Sequence, residues 1–148
     1  SAYRTFRCDP ATAADHQTDF AAALADGAVL VQAFVPAVQT AGELSLVFLD
    51  RRYSHAVRKR PRAGDFRVQA DHGGTRETCE PPAWILARAE ACLAAVPGPL
   101  LYARVDGIEQ GGTFSLMELE LIDPVLFLAH AADAPQRLAE AIAGRVHA

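Results

Sequence analysis

Cysteine is scarce in this chain of 148 residues: Cys8, Cys79 and Cys92 stand far apart, with no C-x-x-C pair. That excludes a disulfide framework and a zinc site of the usual spacing, and it suits free thiols in a reducing cytoplasm. Lysine is scarcer still, with Lys59 the single one among 14 basic residues. No apolar run approaches the ~18 residues of a membrane span, and no signal-peptide pattern is visible. A cytoplasmic protein with no membrane partner is therefore expected. An excess of positive charge is also missing. The formal net charge of −4 argues against a dedicated nucleic-acid binder.

What is present is globular: 51% hydrophobic and 22% charged residues, near the averages of a soluble fold. The length suits one domain, able to bury about 70% of its unfolded surface. Tyr3 to Cys8 alternates like a short strand. Asp9-Pro10 supplies an N-cap and a first-position proline for a helix through about Leu24, stopped at Asp26-Gly27. Ala28 to Val35 is a nearly continuous apolar run closed by Pro36, read as a buried strand. Gly42 to Asp50 and Tyr53 to Arg60 read as a hairpin around Arg51-Arg52, followed by a short strand at Phe66 to Gln69. Asp71 to Cys79 is polar, contains His72-Gly73-Gly74 and reads as a mobile loop. A helix begins after Glu80-Pro81-Pro82, with Ile85, Ala89, Cys92, Leu93 and Val96 at helical spacing, and stops at Pro97-Gly98-Pro99. Residues 125–131 and 135–146 read as helices. The order predicts an α+β fold with a mostly antiparallel sheet and flanking helices.

The chemistry concentrates in residues 100–124. Leu100 to Glu109 and Phe114 to Pro124 read as two strands joined at Gly111-Gly112, a strong hairpin signal. Alternation puts Phe114, Leu116, Glu118 and Glu120 on one face, with the two carboxylates roughly 7 Å apart at about 3.4 Å rise per residue. Arg104 and Asp106 share a face of the first strand. A loop of Gly111-Gly112-Thr113 would set Asp106 opposite Glu118, whereas a slip of one residue would separate them. One reading leaves these acids on a solvated face. The other gathers them around a cation, since isolated charge among Phe114, Leu116, Met117, Leu119, Leu121 and Ile122 is costly. Hard divalent ions such as Mg²⁺ take such oxygen ligands together with nucleotide phosphates.

The strand R-V-D (104–106), the short turn and the strand M-E-L-E (117–120) resemble the metal-binding end of the ATP-grasp superfamily. That superfamily includes D-alanine–D-alanine ligase, glutathione synthetase and the ligases that add glutamate to a ribosomal protein. Its members carry R-x-D or G-x-D on one strand and E-x-N on the next. The resemblance implies Mg²⁺ ligands at Asp106, Glu118 and Glu120, the last standing where Asn is usual. It makes Arg104 the arginine that stabilises the oxyanion of acyl transfer. Asp123-Pro124 replaces the usual Ser-Pro-Gly. V-L-V-Q-A-F-V-P (29–36) resembles the adenine hinge, implying contacts from Gln32, Ala33, Phe34 and Val35, with Glu43 on the ribose. G-D-F-R-V-Q-A-D-H-G-G (64–74) resembles the G-x-F-R-x-N…G-G stretch of the amino-acid-adding ligases, which gives Arg67 a role on the transferred phosphate.

Seven basic residues, Arg51, Arg52, Arg58, Lys59, Arg60, Arg62 and Arg67, crowd residues 51–67. Arg58 is expected on the nucleotide, and Lys59 points to the opposite strand face. His16, His55, His130 and His147 lack metal-ligand spacing and are read as structural or surface residues. The family's upstream domain, its nucleotide lysine and its Gly-rich loop have no counterpart here, although Ser1-Ala2-Tyr3 could end that loop. Residues 1–148 are thus expected to be the C-terminal portion of an ATP-grasp domain, inactive as a fragment. The implied function is an ATP- and Mg²⁺-dependent carboxylate–amine ligase, ADP-forming, working through an acyl phosphate on small-molecule carboxylate and amine substrates. A homo-oligomer stays open. The alternatives are a non-catalytic nucleotide-binding or assembly module and a basic-loop nucleic-acid binder.

Overall fold

Strict alternation in residues 43–49 builds the central strand: Leu44, Leu46 and Phe48 face one side, and Glu43, Ser45, Val47 and Leu49 the other. In the computed structural model, which describes residues 4–146, this strand (β1, Glu43–Leu49) lies mid-sheet. Its neighbours are β2 (Arg52–Arg60), β3 (Thr75–Cys79), β4 (Tyr102–Gln110) and β5 (Thr113–Glu120). The order is β3-β2-β1-β4-β5, antiparallel throughout. The helices are α1 (Gln17–Asp26), the single-turn α2 (Ala37–Thr40), α3 (Ala83–Ala94) and α4 (Ala134–Val146).

The chain divides into two units, residues 1–36 and 37–148. In the first, Asp9 Oδ1 accepts from the amides of Ala11 and Thr12, but regular helix starts only at Gln17. Helix α1 has no buried residue, and just before it Phe6 stacks on the N-cap residue His16 at 5.0 Å. Thr5 to Cys8 and Ala28 to Val35, expected as strands, are irregular, and Leu30 is 100% exposed. An apolar run becomes a strand only where a ladder partner exists, and all five described strands belong to the second unit. Tyr3 lies outside the described residues, as do Ser1, Ala2 and His147.

In the second unit α3 covers one sheet face. Ile85, Ala89 and Leu93, one helical turn apart, pack on Leu44, Leu46, Phe48, Ala56, Ala103 and Val105. The Pro82 start of α3 agrees with the sequence, but the helix ends at Ala94, before Val96 and the expected Pro97-Gly98-Pro99 stop. Arg51 closes its C-terminal end, with Nη1 donating to the Leu93 carbonyl (3.0 Å) and Nε to that of Gly98 (3.1 Å). Arg51 reaches there from the β1–β2 turn, which is Asp50-Arg51, one residue earlier than expected, with φ of 49° and 60°. Both residues therefore take the left-handed conformation that two-residue hairpin turns demand.

The opposite face is graded. Val47, Leu49 and Val57 form an apolar end with Phe127 and Ala134, and charged side chains fill the other end. Three further expectations are corrected. Phe66 to Gln69 is not a strand, and Thr75 to Cys79 is a sheet edge rather than a loop. Residues 125–131 form an extended strap with a single 3-10 turn at Leu128–His130, because Phe127 sits at φ 48°, left-handed, and cannot continue a helix.

Candidate active site

The β4–β5 hairpin turns on two glycines, with Gln110 opposite Thr113 and φ of 58° and 73° at Gly111 and Gly112. That turn alone would set Met117 opposite Asp106. A bulge between Gly107 and Asp106 leaves Met117 unpaired and brings Glu118 opposite Asp106 and Glu120 opposite Arg104. The expected pairing is thus reached through a shorter loop plus a bulge. As a consequence, Phe114 and Leu116 do not share a face with Glu118. Phe114 packs with the α3-side core instead.

Asp106 is fully buried at the centre of the charged end. Its Oδ2 accepts from Lys59 Nζ at 2.8 Å and Arg104 Nη2 at 2.9 Å, and its Oδ1 from Arg104 Nε at 2.9 Å. Lys59 also pairs with Glu43, its cross-strand partner. Arg104 Nη2 reaches Glu120 at 3.0 Å and Glu118 at 3.6 Å, while Nη1 donates to the Val125 carbonyl at 3.2 Å. Four carboxylates, Glu43, Asp106, Glu118 and Glu120, thus share two cations, leaving two excess negative charges if all are ionised. Glu118 is the open member, its side chain 53% exposed.

Burial pushes the Asp106 carboxyl up, but Lys59 and Arg104 outweigh it and hold the value below the usual 3.8. Burial dominates at Glu43, whose carboxyl is raised despite Lys59. Glu120 is raised too, by burial first and then by neighbouring Glu118 and Asp106, against the pull of Arg104. Burial also opposes the Arg104 charge, yet Asp106, Glu120 and Glu118 outweigh it, so the guanidinium holds its proton more firmly than usual.

The strap over this end is tied down by side chains. His55 donates from Nε2 to the Leu126 carbonyl (3.0 Å), Tyr102 donates to Ile122, and Thr78 meets His130 Nδ1 (3.0 Å). Phe127 lies beneath two guanidinium groups, Arg104 at 5.5 Å and Arg76 at 5.2 Å from its ring centre.

The sequence-derived residues separate into groups. Arg104, Asp106, Glu118, Glu120 and Glu43 come together. Arg58 does not: its side chain is on the α3 side of the sheet and donates to the Ala41 carbonyl at 2.6 Å. Arg67 is held by Asp65 through Nε (3.1 Å) and Nη2 (2.8 Å), and that pairing depresses the Asp65 carboxyl. Gln32, Ala33, Phe34 and Val35 lie in the first unit. Gln32 and Ala33 are exposed, and Arg7 stacks over Phe34 at 3.8 Å. The basic run takes local structural roles: Arg58 and Arg60, side by side on β2, donate to the adjacent Ala41 and Thr40 carbonyls, Arg60 also meets Glu77, and Arg51 and Arg67 are engaged separately.

Lys59, Ser45 and Phe127 were missed as site residues. Lys59 carried a signal, being the single lysine and out of phase with Arg58 and Arg60. Ser45 and Phe127 carried none. A hard divalent cation suits this donor set in chemistry and charge. The fully buried Ser45 hydroxyl, cross-strand partner of Asp106, also lacks a hydrogen-bond partner. As arranged, however, no three acidic, histidine or cysteine groups among the described residues converge on one point. Arg104 stands among the carboxylates.

This fold has solved counterparts. The crystal structure of D-cycloserine synthetase DcsG matches 97% of this chain with a TM-score of 0.84 and 31% identity. The chain belongs to the ATP-grasp superfamily. Cycloserine biosynthesis protein DcsG of Streptomyces lavendulae is 34% identical over 132 residues, 83% of this chain. D-alanine–D-alanine ligase from Bacillus anthracis, solved with ATP, shares the fold over 69% of this chain and 36% of its own, at 24% identity and a TM-score of 0.51. No family model matches the chain. The ATP-grasp chain described here spans about half the length of its relatives, 44% of the Streptomyces protein and 52% of the DcsG structure. No helix among its described residues is long and apolar enough to cross a membrane.

Proposed function

We propose that the protein is an ATP-dependent, ADP-forming carboxylate–amine ligase of which this chain is the C-terminal portion. The observation that carries the reading is the single sheet face on which Lys59 and Arg104 are held among Asp106, Glu43, Glu118 and Glu120. In the reaction a substrate carboxylate oxygen attacks the γ-phosphorus of ATP and ADP leaves. The amine then attacks the acyl carbon and inorganic phosphate leaves with the former carboxylate oxygen. Two developing anions must be met, and preorganised cations do this without reorganising at the moment of reaction. Arg104 is fixed by Asp106 and the Val125 carbonyl, so its guanidinium is aimed before the oxyanion forms. Lys59 meets phosphoryl charge, with Glu43 paired to its ammonium.

Arg67 is assigned to the transferred phosphate and residues 32–35 to the adenine, as the family pattern implies. Asp106, Glu118 and Glu120 would hold Mg²⁺, which when bound neutralises charge on the transferred phosphoryl group. The likeness to DcsG favours a small amino-acid-derived acid over a glutathione-like peptide. Three free cysteines suit a cytoplasmic setting. Engagement of Arg51, Arg58, Arg60 and Arg67 by backbone carbonyls and local carboxylates weighs against nucleic acid as partner.

Phosphate release by the full-length protein, with MgATP and a panel of amino acids, tests the assignment. Arg104→Ala should lower kcat at least about a hundredfold with nucleotide affinity nearly unchanged, as for loss of one oxyanion donor. An unchanged kcat leaves that arginine without a catalytic role.

A further inference from the structure

Among the described residues, three cations reach the charged end of the sheet face, and two of them are committed to carboxylates. Lys59 pairs with Asp106 and Glu43, and Arg104 with Asp106, Glu118 and Glu120. The third is Arg76, cross-strand partner of Lys59 on the edge strand β3 and hence on the same face. It is exposed, and among the described residues no carboxylate or carbonyl accepts from it. The neighbouring Glu77 points to the opposite face, where Arg60 takes it. Glu118 and Glu120 line β5 at the other edge of the sheet, four strand spacings or roughly 19 Å from β3. The excess negative charge and the uncommitted cation thus occupy opposite edges.

The Arg76 guanidinium is also oriented. It rests 5.2 Å from the centre of the Phe127 ring, and that ring is pinned on both sides. His55 holds the Leu126 carbonyl, and Thr78, two residues from Arg76 on the same strand face, holds His130 Nδ1. Phe127 itself sits at φ 48°, a conformation that a non-glycine residue keeps only where its surroundings fix it. A guanidinium lying on a ring keeps its in-plane N–H groups for an oxyanion, which its planar fork fits two at a time. We propose that Arg76 receives an oxyanion of the bound ligand, a nucleotide phosphate or a substrate carboxylate, at the β3 edge of this face. No ion pair of the face has to open for it to do so. This rests on the reading above that the face serves ATP and an acid.

The full-length protein is treated with phenylglyoxal, which attacks accessible guanidinium groups, and modification of Arg76 is followed by peptide mass spectrometry. Arg88, exposed on α3 across the sheet, serves as the internal control. MgATP, adenosine and D-alanine are compared as protecting ligands, and MgATP binding is measured separately by calorimetry. Saturating MgATP should suppress modification of Arg76 and leave Arg88 unchanged, with adenosine giving no protection; that result assigns a phosphate to Arg76. Protection by D-alanine and not by MgATP assigns a carboxylate. Arg76→Gln should weaken binding of the protecting ligand at least about tenfold, the worth of a hydrogen bond to a charged group, while Tm stays as in the parent protein. If MgATP binds and Arg76 reacts at one rate with every ligand, the assignment is wrong while the functional reading survives. If MgATP does not bind and nothing protects Arg76, both fall.

Discussion

Lys59 and Asp106 show how a buried charge is tolerated at the scale of one residue. An unpaired ammonium at this depth would lose its proton, and an unpaired carboxylate would gain one. Lys59 pairs with Asp106, and Glu43 and Arg104 extend the pair to a network. Such a network adds little net stability over apolar packing, but breaking it from one side is costly. Lys59→Met should therefore destabilise the protein by about 3 kcal/mol in urea denaturation at neutral pH, the magnitude expected when one partner of a buried pair is removed. A loss below about 1 kcal/mol, the worth of a surface pair, would show the network to be solvated. The pH dependence has a definite sign. The Asp106 value is depressed on folding, so its contribution is full above the ordinary 3.8 and disappears as pH falls through the lower folded value. Glu43 works the other way: its raised value favours the fold below the ordinary 4.5, and that contribution is lost as pH rises through the raised value. Asp106→Asn should flatten the acid limb of the urea midpoint against pH below 3.8, and an unaltered limb would place the acid-sensitive group elsewhere.

Among the elements, the β4–β5 hairpin decides whether a site exists. Its strands and its Gly-Gly turn are legible because alternation and left-handed glycines leave direct traces. The bulge at Met117 leaves none, since one unpaired residue looks the same in sequence as one more turn residue. The same limit hid the other misread segments. Thr75–Cys79 is too polar to signal a strand, yet as an edge it needs only one partner, β2. Residues 28–35 are apolar enough for a strand but have no ladder. Residues 125–131 have helical composition, yet His55 and Arg104 take the Leu126 and Val125 carbonyls and left-handed Phe127 breaks the run. Within β4, Gly107 is required by its neighbour: a Cβ there would lie 2.2 Å from the Phe114 ring. Gly107→Ala should drive that ring out of the α3-side core and cost about 2 kcal/mol by thermal or urea denaturation, the range for overpacking. A neutral result would mean that Phe114 moves aside freely.

For the whole molecule, the match to known structures covers nearly all of this chain and about half of DcsG. The second unit supplies a sheet face of paired charges, to which phosphoryl and acyl chemistry is assigned here as a proposal. The first unit carries the segment assigned to adenine. The remaining length of the relatives lies beyond the match. The superfamily was legible because R-V-D and M-E-L-E carry their chemistry in fixed order. The substrates were not, because acceptor pockets are built by strap and loop conformations that sequence alone does not dictate. The central claim is that a carboxylate is activated as its acyl phosphate. It is tested most directly by giving the full-length protein, with MgATP and the amine, an acid labelled with ¹⁸O in its carboxylate. The account predicts that one labelled oxygen appears in the inorganic phosphate for each turnover. Turnover with unlabelled phosphate would contradict it.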